Sequence, residues 1–107
     1  MEEMGLFEAM LSQRQITRFK PDPVPREAIE KIIEAATKAP SGGNTQPWHF
    51  VAITDPGLIA RIGGIYKELW LGARGPQAAP GETPAYRAAR YLANHMPEVP
   101  AMILICA

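Results

Sequence analysis

Apolar residues recur at helical spacing in four stretches of the chain, and two shorter runs read as strands. Leu6, Phe7, Met10 and Leu11 give residues 5–13 one apolar face. Ile29, Ile32, Ile33 and Ala36 do the same for a second helix, with Pro25 suited to its first position and Pro40 to its end. Glu27 in the first turn and Lys38 in the last would complement the helix dipole. Glu27–Lys31 and Glu34–Lys38 are i,i+4 pairs in the favoured order. Asp55-Pro56 and Thr83-Pro84 each place a capping side chain before a proline, so each predicts a helix start. Leu58, Ile59, Ile62, Ile65 and Leu69 form the face of the third helix. Tyr86, Ala89, Arg90 and Ala93 mark the fourth.

Between the first two helices, prolines 21, 23 and 25 dictate a stiff, extended connector. Trp48–Thr54 is rich in aromatic and β-branched residues and reads as a strand begun by a core tryptophan. Residues 72–83, rich in Gly, Pro and Ala, read as a mobile surface loop. Val99–Ala107 is a continuous uncharged run, expected as a strand buried on both faces with Cys106 an inert buried thiol. A strand of this kind is rarely left as an uncovered edge. The expectation is therefore that these residues are the front part of a longer fold, or that other segments cover the strand.

Composition narrows the function classes. The chain has 107 residues, room for one small domain, and 47% are apolar against 21% charged. Eleven basic residues balance eleven acidic ones, which gives no reason to expect a general electrostatic affinity for nucleic acid or an anionic membrane. A single cysteine excludes an internal disulfide framework and a multi-cysteine metal site. No apolar run approaches the roughly 20 residues of a membrane span. The acidic MEEMGLFEAM start does not read as a signal peptide, so a cytoplasmic protein is expected.

Two segments offer chemistry. In Arg14-Gln15-Ile16-Thr17-Arg18-Phe19, two guanidinium groups four residues apart could clamp a phosphate, although the same spacing suits two solvated surface arginines. In Ala39-Pro40-Ser41-Gly42-Gly43-Asn44-Thr45-Gln46-Pro47-Trp48, paired glycines let backbone amides approach an anion or a ring acceptor, with Ser41 and Asn44 adding side-chain groups. The same residues would also make a plain helix-to-strand turn. The loop is neither a P-loop nor a dinucleotide fingerprint, since it follows a helix and precedes a strand. His49, His95 and Cys106 have no partner at triad or metal spacing, so no catalytic residue and no metal ligand is assigned.

Taken together, the two segments resemble the nitroreductase family of flavoproteins. The likeness runs from residue 5 to about residue 70: a helix into Arg14-x-x-x-Arg18-Phe19, the proline connector, the EAIEKIIEAATKAPS helix, then Ser41-Gly42-Gly43-Asn44-x-Gln46-Pro47-Trp48-x-Phe50. It implies an α+β fold, a mixed sheet flanked by helices, with residues 1–107 the N-terminal part of one FMN-binding domain. It also implies a homodimer. By position, Arg14 and Arg18 would hold the FMN phosphate or the pyrimidine edge. Gln15 and Ile16, between them, would contribute backbone groups or the Gln15 amide. Pro40, Ser41, Gly42 and Asn44 match the family's second flavin-contacting loop. Electrons would pass from NAD(P)H through FMN to nitroaromatic, quinone or similar flat acceptors in a ping-pong cycle. The alternatives are a flavin-binding or partner-binding protein without turnover, and an inactive fragment.

Overall fold

The two capped helix starts appear where their side chains place them. Asp55 accepts a hydrogen bond from the Gly57 N–H at 3.3 Å and opens a helix with Pro56 in its first turn. Thr83 accepts from the Tyr86 N–H at 3.3 Å and does the same before Pro84. The computed structural model describes residues 3–107. Its elements are α1 (Leu6–Ser12), α2 (Arg26–Ala36), β1 (His49–Ile53), α3 (Pro56–Arg74), α4 (Pro84–His95) and β2 (Met102–Cys106). Short 3-10 turns at Gly42–Asn44 and Met96–Glu98 precede the two strands. This is an α+β arrangement, and its sheet is one antiparallel ladder running from His49 opposite Cys106 to Ile53 opposite Met102.

The core is small. Among the described residues Ile29, Ile53, Ile59 and Ala93 are the buried apolar side chains, one each from α2, β1, α3 and α4. Helix α3 packs on the Met96–Glu98 turn and on α4. The contact with the turn is made at Gly63, where a methyl group would lie 2.5 Å from the Pro97 nitrogen and 2.6 Å from the Met96 carbonyl carbon. Only a glycine permits two backbones to approach so closely.

Several sequence expectations are corrected. Pro25 is the N-cap of α2 rather than its first residue, and α2 ends at Ala36, so Lys38 lies beyond the last turn. The i,i+4 ion pair that forms on α2 is Arg26–Glu30, at 2.8 Å. Trp48 is half-buried instead of central. β2 is not buried on both faces: Ile105 is 71% exposed and Cys106 is also exposed, because β1 pairs along an edge and covers neither face at these positions. The expected loop at 72–83 begins late, since α3 continues to Arg74.

The rest of that loop is tied down. Arg90 donates to both Glu82 carboxylate oxygens, at 3.2 and 2.9 Å, and to the Gly75 carbonyl. Glu82 also accepts from the Ala79 N–H at 3.0 Å. The Arg90 and Glu82 side chains are 12% and 8% exposed. Arg90's hydrogen bond is the main cause that holds the Glu82 carboxyl below its ordinary value, with the Ala79 N–H assisting against partial desolvation. A carboxyl depressed in the folded state stabilises the fold above its unfolded pKa. That stabilisation is lost as pH falls through the ordinary carboxylate range and then through the lower folded value. Thermal melts between about pH 6 and pH 3 should therefore fall more steeply for the wild type than for Glu82→Gln. Parallel slopes would show that the pair does not anchor the loop.

The chain exposes far more surface than a self-contained domain of its size. Its accessible area is 8627 Å² at 11.7 kDa, against about 5,900 Å² expected for a folded monomer. Its radius of gyration is 16.4 Å, against about 13 Å. Helix α1 has no buried residue, and Leu6, Phe7, Met10 and Leu11 all face outward.

Candidate functional site

The turn between α2 and β1 carries the most unusual backbone in the described chain. Gly43, Asn44 and Gln46 have φ of 60°, 55° and 50°, and Asn44 and Gln46 are the non-glycine residues with positive φ. Left-handed conformations are costly for residues bearing a Cβ, and Asn tolerates them best. The turn holds itself in this shape. The Asn44 N–H donates to the Ser41 carbonyl at 3.0 Å, and the Thr45 N–H to the Gly42 carbonyl at 3.2 Å. Ser41 Oγ accepts from the Gln46 N–H at 3.0 Å, and Gln46 Nε2 donates to Asn44 Oδ1 at 2.9 Å.

These bonds leave specific groups free. No hydrogen bond among the described residues uses the N–H of Gly42 or Gly43. Both glycines are exposed, and nothing lies within 4 Å of a Cβ placed on Gly42. Ser41 is half-buried and its hydroxyl is engaged as an acceptor, which leaves its proton free to donate. Pro40 is exposed and precedes the turn. A self-supported turn with free amides suits an anion or a ring acceptor.

The first segment lies in the extended stretch after α1. Arg14 is exposed, and neither it nor Arg18 has a hydrogen-bond acceptor or carboxylate partner among the described residues. By contrast, Arg26, Arg74, Arg87 and Arg90 each donate to an acceptor. The Arg18 guanidinium carbon sits 3.8 Å from the centre of the Tyr91 ring on α4. Gln15 and Ile16 line an apolar groove of about 480 Å³, which they share with Ile29 and Ile32 of α2 and residues 99–103. The structure thus brings Gln15 and Ile16 to α2, and Arg18 to α4. It forms no hydrogen bond or ion pair between the 14–18 segment and the 40–46 turn among the described residues.

Sequence reasoning misses Tyr91. Its one local signal is the i,i+4 spacing to His95, whose ring stacks on it with centroids 4.1 Å apart. Among the described residues no group of three or more His, Cys, Asp or Glu side chains is placed to hold a metal ion. Among the same residues no helix is long and apolar enough to cross a membrane.

Comparisons with known proteins agree on one family. The model of the nitroreductase family matches residues 11–107. Iodotyrosine deiodinase 1 of Rattus norvegicus is 44% identical over 63 residues, which are 58% of this chain and 22% of that protein. A NADH dehydrogenase of Thermus thermophilus is 48% identical over 48 residues, 45% of this chain and 23% of the relative. Among solved structures, a BluB-like flavoprotein from Clostridium difficile superposes with a TM-score of 0.61 at 27% identity, covering 96% of this chain and 48% of that one. A variant of the FMN and NADPH-dependent nitroreductase NfnB from a Sphingopyxis strain gives 0.60 at 25% identity, covering 95% and 57%. The chain thus spans about half the length of these solved structures, and the curated matches cover less than a quarter of each relative. Since the family model matches nearly the whole chain and the α+β frame superposes on flavoproteins of that fold, the chain belongs to the nitroreductase family.

Proposed function

We propose that residues 1–107 are the N-terminal part of a single FMN-binding domain, in a protein that moves electrons from NAD(P)H to a flat acceptor. Nitroaromatics and quinones are the acceptor class, and the half-reactions alternate at one face in a ping-pong cycle. The observation that carries this reading is the Gly43–Gln46 turn, with positive φ at Gly43, Asn44 and Gln46 and with free glycine amides. Backbone strain held by dedicated hydrogen bonds is concentrated where a ligand must be met. The residues present fit FMN. Arg14 and Arg18 offer unpaired guanidinium groups to a phosphate or a pyrimidine edge, and neither has a competing carboxylate among the described residues. The absence of a GxGxxG turn favours FMN over FAD.

When bound, FMN supplies the hydride and electron chemistry, so the protein needs no acid–base triad. Arg14 and Arg18 would place positive charge beside the cofactor. Ser41, Gly42 and Asn44 would set its position through the hydroxyl, an amide N–H and the side-chain amide. Pro40 would fix the entry of the turn, and Gln15 and Ile16 would contribute backbone groups or the Gln15 amide. The excess surface and the outward apolar face of α1 support a homodimer, in which a partner and further chain cover α1 and β2. A cytoplasmic location, where NAD(P)H is available, belongs to the same reading. Anaerobic addition of NADPH or NADH to the yellow protein should bleach it, and a nitroaromatic should restore the colour. Yellow protein that neither nucleotide bleaches would indicate a binding module without turnover.

A further inference from the structure

We propose that Tyr91 is a positioning residue for Arg18, holding the 14–18 segment against α4 so that the guanidinium edge is presented to the cofactor. The inference rests on the flavin reading of that segment. Residues 13–25 form no helix or strand, so nothing in their own backbone fixes where Arg18 points. The fixing comes from α4. Arg18 Cζ lies 3.8 Å from the Tyr91 ring centre, within the range of a cation–π contact. Tyr91 is half-buried and is itself constrained by His95, whose ring centroid is 4.1 Å away at an interplanar angle of 32°. His95 Nδ1 is 3.0 Å from Glu98 Oε2, in the turn that packs on α3. The stack therefore connects the extended segment to the packed part of the fold.

The chemistry of guanidinium explains why a stack suits this task. Stacking engages the face of the group, whereas its N–H donors lie in its plane. An ion pair would consume those donors, and Arg18 has none among the described residues. A neighbouring ring thus orients the charge and leaves its hydrogen bonds unspent. Either cleavage after Arg14 and Arg18 by trypsin or FMN affinity reports this positioning, and the first does not depend on flavin.

The experiment compares the purified wild type with Tyr91→Leu, Tyr91→Phe and Arg18→Gln. Tyr91→Leu should be cut faster after Arg14 and Arg18 and should bind FMN about threefold to fivefold more weakly, as expected for loss of an exposed cation–π contact. Tyr91→Phe, which keeps the ring, should match the wild type in both. Arg18→Gln removes the guanidinium from the Tyr91 ring and should speed cleavage after Arg14 without loosening α4. The inference is overturned if cleavage after Arg14 is equal in all four proteins, or if Tyr91→Phe is as defective as Tyr91→Leu. A wild type that takes no FMN defeats the flavin reading alone, and the cleavage rates still decide whether Tyr91 clamps the segment.

Discussion

Replacing Gly63 with alanine should lower the melting temperature by roughly 12–20 °C, the largest effect expected of any single methyl group in this chain. The added Cβ would lie 2.5–2.6 Å from the backbone of Met96 and Pro97. A flexible side chain could turn away from it, but backbone atoms at a helix-to-turn contact cannot. Overpacking of this kind costs about 1–3 kcal/mol, and rigid neighbours place Gly63 at the upper end. Gly64→Ala is the matched control. It is half-buried in the same helix, and its Cβ meets nothing within 4 Å. Alanine there should stabilise by up to about 1 kcal/mol, through the lower helix propensity of glycine. Equal melting temperatures for the two variants would refute the close-contact explanation. Because His95 and Glu98 flank Met96 and Pro97, Gly63→Ala should also weaken whatever the Arg18–Tyr91 stack supports.

Arg14→Ala should weaken FMN binding by roughly one to two decades, and by more than Arg18→Ala does. A charge-assisted hydrogen bond contributes about 1.5–3 kcal/mol. Arg14 has no acceptor or ring partner among the described residues, so its guanidinium is wholly available to a phosphate. Arg18 already shares one face with Tyr91, and its removal leaves that ring packed against His95. Flavin titrations of both variants at two salt concentrations check this. The wild type should weaken with added salt more than Arg14→Ala does, since screening acts on the charge that the variant lacks. Unchanged affinity in Arg14→Ala would remove it from the site.

The helix starts were legible because their signals are local. Asp55-Pro56 and Thr83-Pro84 need only the next few N–H groups, and both caps form. The Ser41–Gln46 turn is legible for the same reason, although nothing local announces the φ of 50° at Gln46, which donates to both Ser41 and Asn44. What the sequence hid depends on distant partners. Arg18 meets Tyr91 across 73 positions, and no periodicity reports such a contact. Arg90 turns a Gly/Pro-rich stretch into an anchored loop through Glu82 and Gly75, which composition alone reads as mobile. The apolar run of β2 was legible as a strand, but its burial was not, because burial belongs to whatever covers it. Among the described residues β1 pairs along its edge, and Ile105 and Cys106 remain exposed on its faces.

The excess of roughly 2,700 Å² over a self-contained monomer exceeds a standard protein–protein interface of about 1,600 Å² counted over both partners. The candidate residues lie at the surface: Arg14, Gln15, Ile16, Arg18, Pro40, Gly42 and Asn44 are exposed, and Ser41 is half-buried. The 14–18 segment and the 40–46 turn each prepare donors there. The central claim is that these donors recognise FMN. Its most direct test is a titration of FMN into the purified chain, followed by quenching of flavin fluorescence, with FAD titrated in parallel. FMN should quench saturably, FAD should bind more weakly, and Arg14→Ala should lose affinity for FMN. A flat FMN titration, or one that Arg14→Ala leaves unchanged, would contradict the claim.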